Sequence, residues 1–211
     1  MERGAPEMDL YRLHGLSGVI LTGARRAGQG GTNKALLPNG EEELLQRQVR
    51  IMKRSCEEVI VVAPDPKTYL PLVDRDVRII TDRYPGKGPL GGLHAALSLS
   101  RFGDLWVVGS GMPSLSPEAA GMMLEWKREH GYDAVIPVIG GRQYPLHGVY
   151  GKTCTSPLNA MLASADFRPE MLLASVRTAE MNELMFRERG IPPTFVQTIQ
   201  TGEERRDAVR P

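Results

Sequence analysis

Ser17-Gly18-Val19-Ile20-Leu21-Thr22, followed at once by Gly23-Ala24-Arg25-Arg26-Ala27-Gly28-Gln29-Gly30-Gly31-Thr32-Asn33-Lys34, is the stretch on which the fold turns. Val19, Ile20 and Leu21 form a short apolar run that stops at Gly23, the pattern of a strand buried on both faces of a parallel sheet. A Gly- and Arg-rich loop comes next. Glu41 to Ser55 then reads as a helix, with Leu44, Leu45, Val49 and Met52 on one face, acids at its start and Lys53 and Arg54 at its end, the order that the helix dipole favours. The same alternation continues outward. Strands are predicted over Glu58–Ala63, Val77–Thr81, Asp104–Gly109, Ala134–Val138, Leu146–Tyr150 and Thr194–Ile199. Helices are predicted from Leu90 to about Ser100, from the strong start Ser116-Pro117-Glu118 to about His130, over Thr155–Ala163 and over Pro169–Arg187. Strands alternating with helices imply right-handed crossovers and a mostly parallel, doubly wound α/β sheet. In such a sheet ligands bind at the carboxyl ends of the strands. The segments after Thr22, Thr81 and Gly109 are therefore the places to expect chemistry.

The chain has 211 residues, 41% apolar and 24% charged, enough for one large domain with a substantial core. With 26 basic and 25 acidic residues the net charge is +1, so nothing electrostatic points to nucleic acid or to an anionic membrane. No apolar run approaches the length of a membrane span, and Met1 to Leu16 lacks the layout of a signal peptide. Cys56 and Cys154 form no C-x-x-C pair and lack histidines at zinc-like spacing, so two reduced cysteines in or near a core are expected, in a cytoplasmic setting. Trp106, inside an apolar predicted strand, reads as a core residue, and His147, also in a predicted strand, reads as a residue that packs or hydrogen-bonds rather than catalyses. The methionines Met122, Met123, Met161, Met171, Met181 and Met185 in the predicted helices read as core packing. The expected organisation is an extension over residues 1–16, one domain over 17–204 and a polar tail over 205–211.

The loop from Gly23 to Lys34 has two readings. Small residues let backbone N–H groups approach phosphate oxygens, and Arg25, Arg26 and Lys34 add positive charge. It is not a Walker A loop, since no Gly-Lys-Ser/Thr follows Gly28, and its glycine spacing is not that of a dinucleotide fingerprint. Composition alone leaves a plain surface turn equally open.

The ordered pattern along the chain goes further. Leu21-Thr22-Gly23-Ala24-Arg25 followed by Gly30-Gly31-Thr32-Asn33-Lys34-Ala35-Leu36-Leu37 resembles the molybdenum cofactor guanylyltransferase family, which opens Leu-Ala-Gly-Gly and continues to Asp-Lys-Ala-Leu-Leu. Asp82 with Gly88-Pro89-Leu90-Gly91-Gly92 is similar to its Asp and Gly-Pro-Leu-Ala-Gly. Met112-Pro113-Ser114-Leu115-Ser116-Pro117-Glu118, Pro145-Leu146-His147-Gly148-Val149-Tyr150 and Gln200-Thr201-Gly202-Glu203-Glu204 match further family segments, in order, from about Ser17 to Glu204. The resemblance implies a three-layer α/β/α, Rossmann-like nucleotidyltransferase fold. It also implies transfer of GMP from GTP to molybdopterin with loss of pyrophosphate, assisted by Mg²⁺, with molybdoenzymes or cofactor carriers as transient partners. On that reading Lys34 and Arg25 act on the phosphates. Leu21, Thr22, Gly23, Ala24, Lys34, Asp82, Gly88, Pro89 and Leu90 line the nucleotide, and Asp82 pairs with the N1–H and amino group of guanine.

Some positions depart from the family. Gly111 stands where the family has its metal-binding aspartate, so no metal ligand is expected from this chain at that position. Asn33 replaces the aspartate before the loop lysine, Gly28 and Gln29 replace Arg-Met, and Ala24 replaces a glycine. Asp104 is no substitute for Gly111. It lies seven residues back along the same strand, on the order of 20 Å away. An impaired paralogue that keeps the fold and binds nucleotide or cofactor as a carrier or partner is therefore the alternative expectation.

Overall fold

The computed structural model describes residues 12–23, 33–84, 86–163 and 168–199. Strand β1, Leu16–Leu21, is buried at every position. Two short pieces, β2 (Pro38–Asn39) and β3 (Glu42–Glu43), form a separate hairpin. In the main sheet β1 pairs in parallel with β4, Glu58–Val62, and with β6, Asp104–Gly109, while β5, Arg78–Ile80, adds in parallel to β4. Beyond β6 the direction changes. Strand β9, His147–Gly151, runs antiparallel both to β6 and to β7, Ala134–Ile139. Strand β8, Arg142–Gln143, folds back on β7, and β10, Thr178–Asn182, adds to β7 in parallel. The order is β10-β7-β9-β6-β1-β4-β5, a mostly parallel mixed sheet.

Side-chain alternation divides the core in two. Leu16, Ile20, Trp106 and Val108 face helices α1 (Leu44–Ser55), α3 (Pro117–His130) and α6 (Glu183–Glu188). Val19, Leu21, Leu105 and Val107 face α2 (Pro89–Leu99), α4 (Thr155–Ala163) and α5 (Pro169–Ser175). This is the expected three-layer α/β/α arrangement. The start of α3 is as read from its sequence: the Ser116 hydroxyl accepts from the Ala119 N–H at 3.1 Å, and Pro117 opens the helix. The helix ends on Gly131 in the left-handed conformation, φ 66°, with Lys127, Arg128 and His130 in its last turn. Cys56 and Cys154 are free and buried, and burial pushes the Cys154 thiol up to about 12. No described helix is long and apolar enough to cross a membrane.

Four expectations are corrected. The helix predicted from Glu41 begins at Leu44, because Glu42 and Glu43 pair with β2 and Glu43 then caps the helix in a reciprocal box with Gln46. The helix predicted over Pro169–Arg187 is interrupted by β10. There Ala179 and Met181 are buried and Glu180 and Asn182 exposed, a period of two that the neighbouring helical segments hide. Met181 is thus a strand residue, and Met171 on α5 is 43% exposed rather than core. The strand predicted over Thr194–Ile199 is instead a 3-10 turn, Pro193–Val196, followed by an extended segment. Its two leading prolines, Pro192 and Pro193, have no N–H to give a ladder. Residues 1–11 of the predicted N-terminal extension, and 200–211 including the predicted tail, lie outside the described residues.

Candidate functional site

The strands β6, β1, β4 and β5 end level with one another. Leu21 pairs with Gly109 on one side and Val62 on the other, and Val62 pairs with Ile80. The chain segments that leave this edge are tied together. The Ser110 N–H donates to the Leu21 carbonyl at 3.0 Å, and the Thr22 N–H and hydroxyl both donate to the Val62 carbonyl, at 3.1 and 3.0 Å. Thr22 therefore holds the edge with its side chain, leaving Gly23 as the first position past it.

Leu21, Gly23, Asp82, Gly88 and Pro89 line one cavity of about 140 Å³, together with Val62, Ala63, Pro64, Gly86 and Gly92. Asp82 enters it from the turn after β5, where its Oδ1 accepts the Tyr84 N–H at 2.6 Å. The carboxylate lies against the first turn of α2, a setting in which the helix dipole favours negative charge. A Cβ added to Gly91 would lie 2.3 Å from Asp82 Oδ2 and 2.6 Å from Oδ1, so only a glycine leaves room for the carboxylate there. Leu90, expected at the nucleotide, is 2% exposed and packs into the core beneath α2. Ala24 and Arg25 lie outside the described residues.

Lys34 opens a 3-10 turn, Lys34–Leu36, and its stem crosses to the loop after β6, where it lies beside Gly111. Asn33 before it donates from Nδ2 to the Tyr69 hydroxyl at 2.9 Å, and its Oδ1 is buried without a hydrogen-bond partner. Asp104 is at the far end of β6, held by Lys127 at 2.7 Å and Arg128 at 2.9 Å, as its seven-residue separation required.

The loop from Gly109 to Pro113 is braced from beneath by α1. Gln48, fully buried, donates from Nε2 to the carbonyls of Gly109 at 3.0 Å and Met112 at 2.8 Å, and Arg47 donates to Pro113 O at 3.0 Å. Composition gave no sign of this role, because a lone glutamine on an amphipathic helix reads as a surface residue. Gln48→Leu keeps the volume and removes the donor from buried carbonyls. It is expected to lower stability by about 1–2 kcal/mol, read from the urea midpoint.

A second and larger cavity, about 660 Å³, has Met112 of this loop in its wall. Met112, Arg142, Gln143, Tyr144, Leu146 and Thr198 are among its walls. Its hairpin residues were missed in the sequence. The signal was Gly140-Gly141, both with positive φ (57° and 76°), the two-residue turn that joins β7 to β8. His147, just past this wall, is fully buried against Trp106 and Phe195, and neither ring nitrogen has a hydrogen-bond partner.

A glycine-lined pocket and a loop lysine at the carboxyl edge of a mixed α/β/α sheet are the setting of nucleotidyl transfer, and residues 18–180 match the model of the MobA-like NTP transferase domain. The chain belongs to this family. Relatives within it include a probable molybdenum cofactor guanylyltransferase of Pelotomaculum thermopropionicum, 37% identical over 69% of this chain and 68% of that protein. Another protein of the same description, from Methanosarcina acetivorans, is 30% identical over 90% of this chain and 87% of its own length. Among solved structures, molybdopterin-guanine dinucleotide biosynthesis protein A from Archaeoglobus fulgidus superposes with a TM-score of 0.76, covering 91% of this chain and 96% of that one at 22% identity. The fold is shared more widely. A 4-diphosphocytidyl-2C-methyl-D-erythritol synthase from Anaerococcus prevotii has a TM-score of 0.63 at 12% identity, covering 92% of this chain and 96% of that one. This MobA-like chain is thus an NTP transferase by family, and its base and acceptor must be argued from its own pockets.

Proposed function

We propose that this protein transfers GMP from GTP to molybdopterin in molybdenum cofactor maturation. The observation that carries the reading is the placement of Asp82 in the smaller cavity, at the same sheet edge as Lys34; a second cavity, with Met112 of the loop after β6 in its wall, is large enough for an acceptor. Guanine offers its N1–H and amino group as donors, and a carboxylate is the acceptor that suits both; adenine lacks that pair. In this reading the base occupies the smaller cavity, the triphosphate runs along the strand ends toward Lys34, and the acceptor occupies the larger cavity. An oxygen of the acceptor's terminal phosphate forms a bond to Pα, the bond from Pα to the bridging oxygen of the β-phosphate breaks, and pyrophosphate leaves. The protein supplies positioning and charge rather than covalent chemistry. Lys34 neutralises the phosphates, joined in this reading by Arg25. A cytoplasmic location fits two unpaired, buried cysteines. Transient molybdoenzyme or carrier partners would receive the product.

GTP labelled at the α-phosphate, incubated with the protein and molybdopterin, is expected to pass its label to the acceptor with one pyrophosphate released per label, and ATP and CTP are expected to be poor donors. Gly111 and Asn33 favour a second reading, a nucleotide- or cofactor-binding carrier without turnover. Guanine-selective binding with no label transfer would select it.

A further inference from the structure

The loop after β6 is glycine at 111 for reasons of space. Gly111 is not among the positive-φ glycines, so its backbone tolerates a side chain. A Cβ built there, however, would lie 2.9 Å from Lys34 Cδ and 2.9 Å from Thr198 Cγ2, closer than real Cβ atoms come. The segment that carries Thr198 is anchored at the same point, with the Ile199 N–H donating to the Gly111 carbonyl at 2.8 Å. The lysine stem and the threonine therefore occupy the volume into which a side chain at 111 would grow.

Mg²⁺ at a nucleotide site takes one or two protein carboxylates besides phosphates and water. Among the described residues, those around Gly111 do not fit that requirement. Position 111 has no side chain, Asn33 is neutral, with its amide nitrogen on Tyr69 and a buried oxygen that brings no charge, and Asp104 is at the opposite edge in its own ion pairs. Among the described residues no three His, Cys, Asp or Glu side chains come together as a metal site. What the site does present is an ammonium group on a stem held between two elements. A cation fixed in this way costs less to order around a phosphate than a free lysine, because part of its rotamer freedom is already lost.

We propose that Lys34, lodged against Gly111, is a built-in cation that takes over the charge-neutralising part of a protein-held metal, so that this chain binds the triphosphate group with little dependence on divalent cations. Gly111 is the specificity-determining partner: its missing side chain admits the lysine. Any divalent ion in the complex is then carried by the phosphates and water. The proposal rests on the nucleotide-binding reading above, but it concerns the phosphates and not the base.

Calorimetric titration of the whole chain with inorganic tripolyphosphate and with GTP, each in EDTA and in excess Mg²⁺, tests it. Wild-type affinities for both ligands are expected to agree within about threefold between the two conditions. Lys34→Met keeps the stem against Gly111 and removes the charge. It should weaken both ligands by about tenfold or more in EDTA, the size of a charge-assisted contact. Gly111→Ala, which pushes on the stem, should give a smaller loss of the same kind. Should that variant misfold by circular dichroism, Lys34→Met still carries the test. The proposal is overturned by wild-type affinity that rises about tenfold or more with Mg²⁺, by Lys34→Met binding like wild type, or by no tripolyphosphate binding in EDTA. Tripolyphosphate binding that depends on Lys34, with GTP no tighter than ATP titrated alongside it, upholds the cation and sinks the guanine reading instead.

Discussion

Asp82→Ala is expected to weaken GTP binding by roughly a hundredfold while leaving ATP binding within about threefold, since two charge-assisted hydrogen bonds to guanine are lost and none to adenine. Asp82 also holds its own turn through the Tyr84 N–H, so alanine alone confounds recognition with folding of the loop. Asp82→Asn separates them. It keeps an oxygen for Tyr84 but sets an amino group where guanine needs an acceptor, and GTP binding should fall nearly as far. Gly91→Ala reaches the same carboxylate from α2. Its methyl would fall 2.3 Å from Asp82 Oδ2, so the carboxylate must leave its place, and GTP affinity should drop without any change at Asp82 itself. Calorimetry with GTP and ATP on these variants decides the matter. Equal losses for the two nucleotides would show that Asp82 is a structural turn residue, and an unaffected Gly91→Ala would show that its position against α2 is irrelevant to the base.

The second large effect concerns acid. Burial among Trp106 and Phe195 pushes His147 down from 6.5 to about 4, with no hydrogen bond from another group to offset it. The unfolded chain takes up this proton near pH 6.5 and the native chain not until about pH 4. Between those values the unfolded state binds more protons, so stability is full above the upper value and falls as pH falls through the lower one. The whole window is worth on the order of 3 kcal/mol. His147→Leu fills the same space without a titrating group and should flatten this slope. Urea midpoints of both proteins at neutral pH and near pH 4.5 give the comparison, with other acids common to both. A wild-type slope shared by His147→Leu would mean that His147 takes its proton without cost. The region that loosens first should include the site, because His147 pairs with Val108 just before the Gly109–Pro113 loop and its ring supports Phe195.

Much of this architecture is legible in residue order. Apolar runs at Val19, Ile60 and Val107, each closed by a small or turn residue, name the buried strands, because a strand covered on both faces has no polar side to alternate. Ser116-Pro117 names a helix start, since cap and first-turn geometry are local. The candidate site residues at Gly23, Asp82 and Gly88 are legible for the same reason, as each follows a strand end or opens a helix. The pieces that misled are those in which local preference competes with pairing. Thr178–Asn182 sits between two helical segments and becomes a strand because β7 offers it an open edge. Thr194–Ile199 has strand-forming residues but no ladder to join, and it turns instead toward Gly111.

Distances between segments remote in sequence belong to the folded chain. Nothing in the order of residues says that Lys34 lies across Gly111, that Gln48 carries two carbonyls of the same loop, or that Gly91 makes room for Asp82. Each depends on where α1, α2 and the C-terminal segment dock on the sheet. By resemblance, the sequence reads position 111 as an aspartate exchanged for a glycine, a missing ligand. That a lysine stem fills the space at Gly111, on which the proposal of a replaced charge rests, follows from packing alone, because side chains compete for volume across strands that the sequence places far apart.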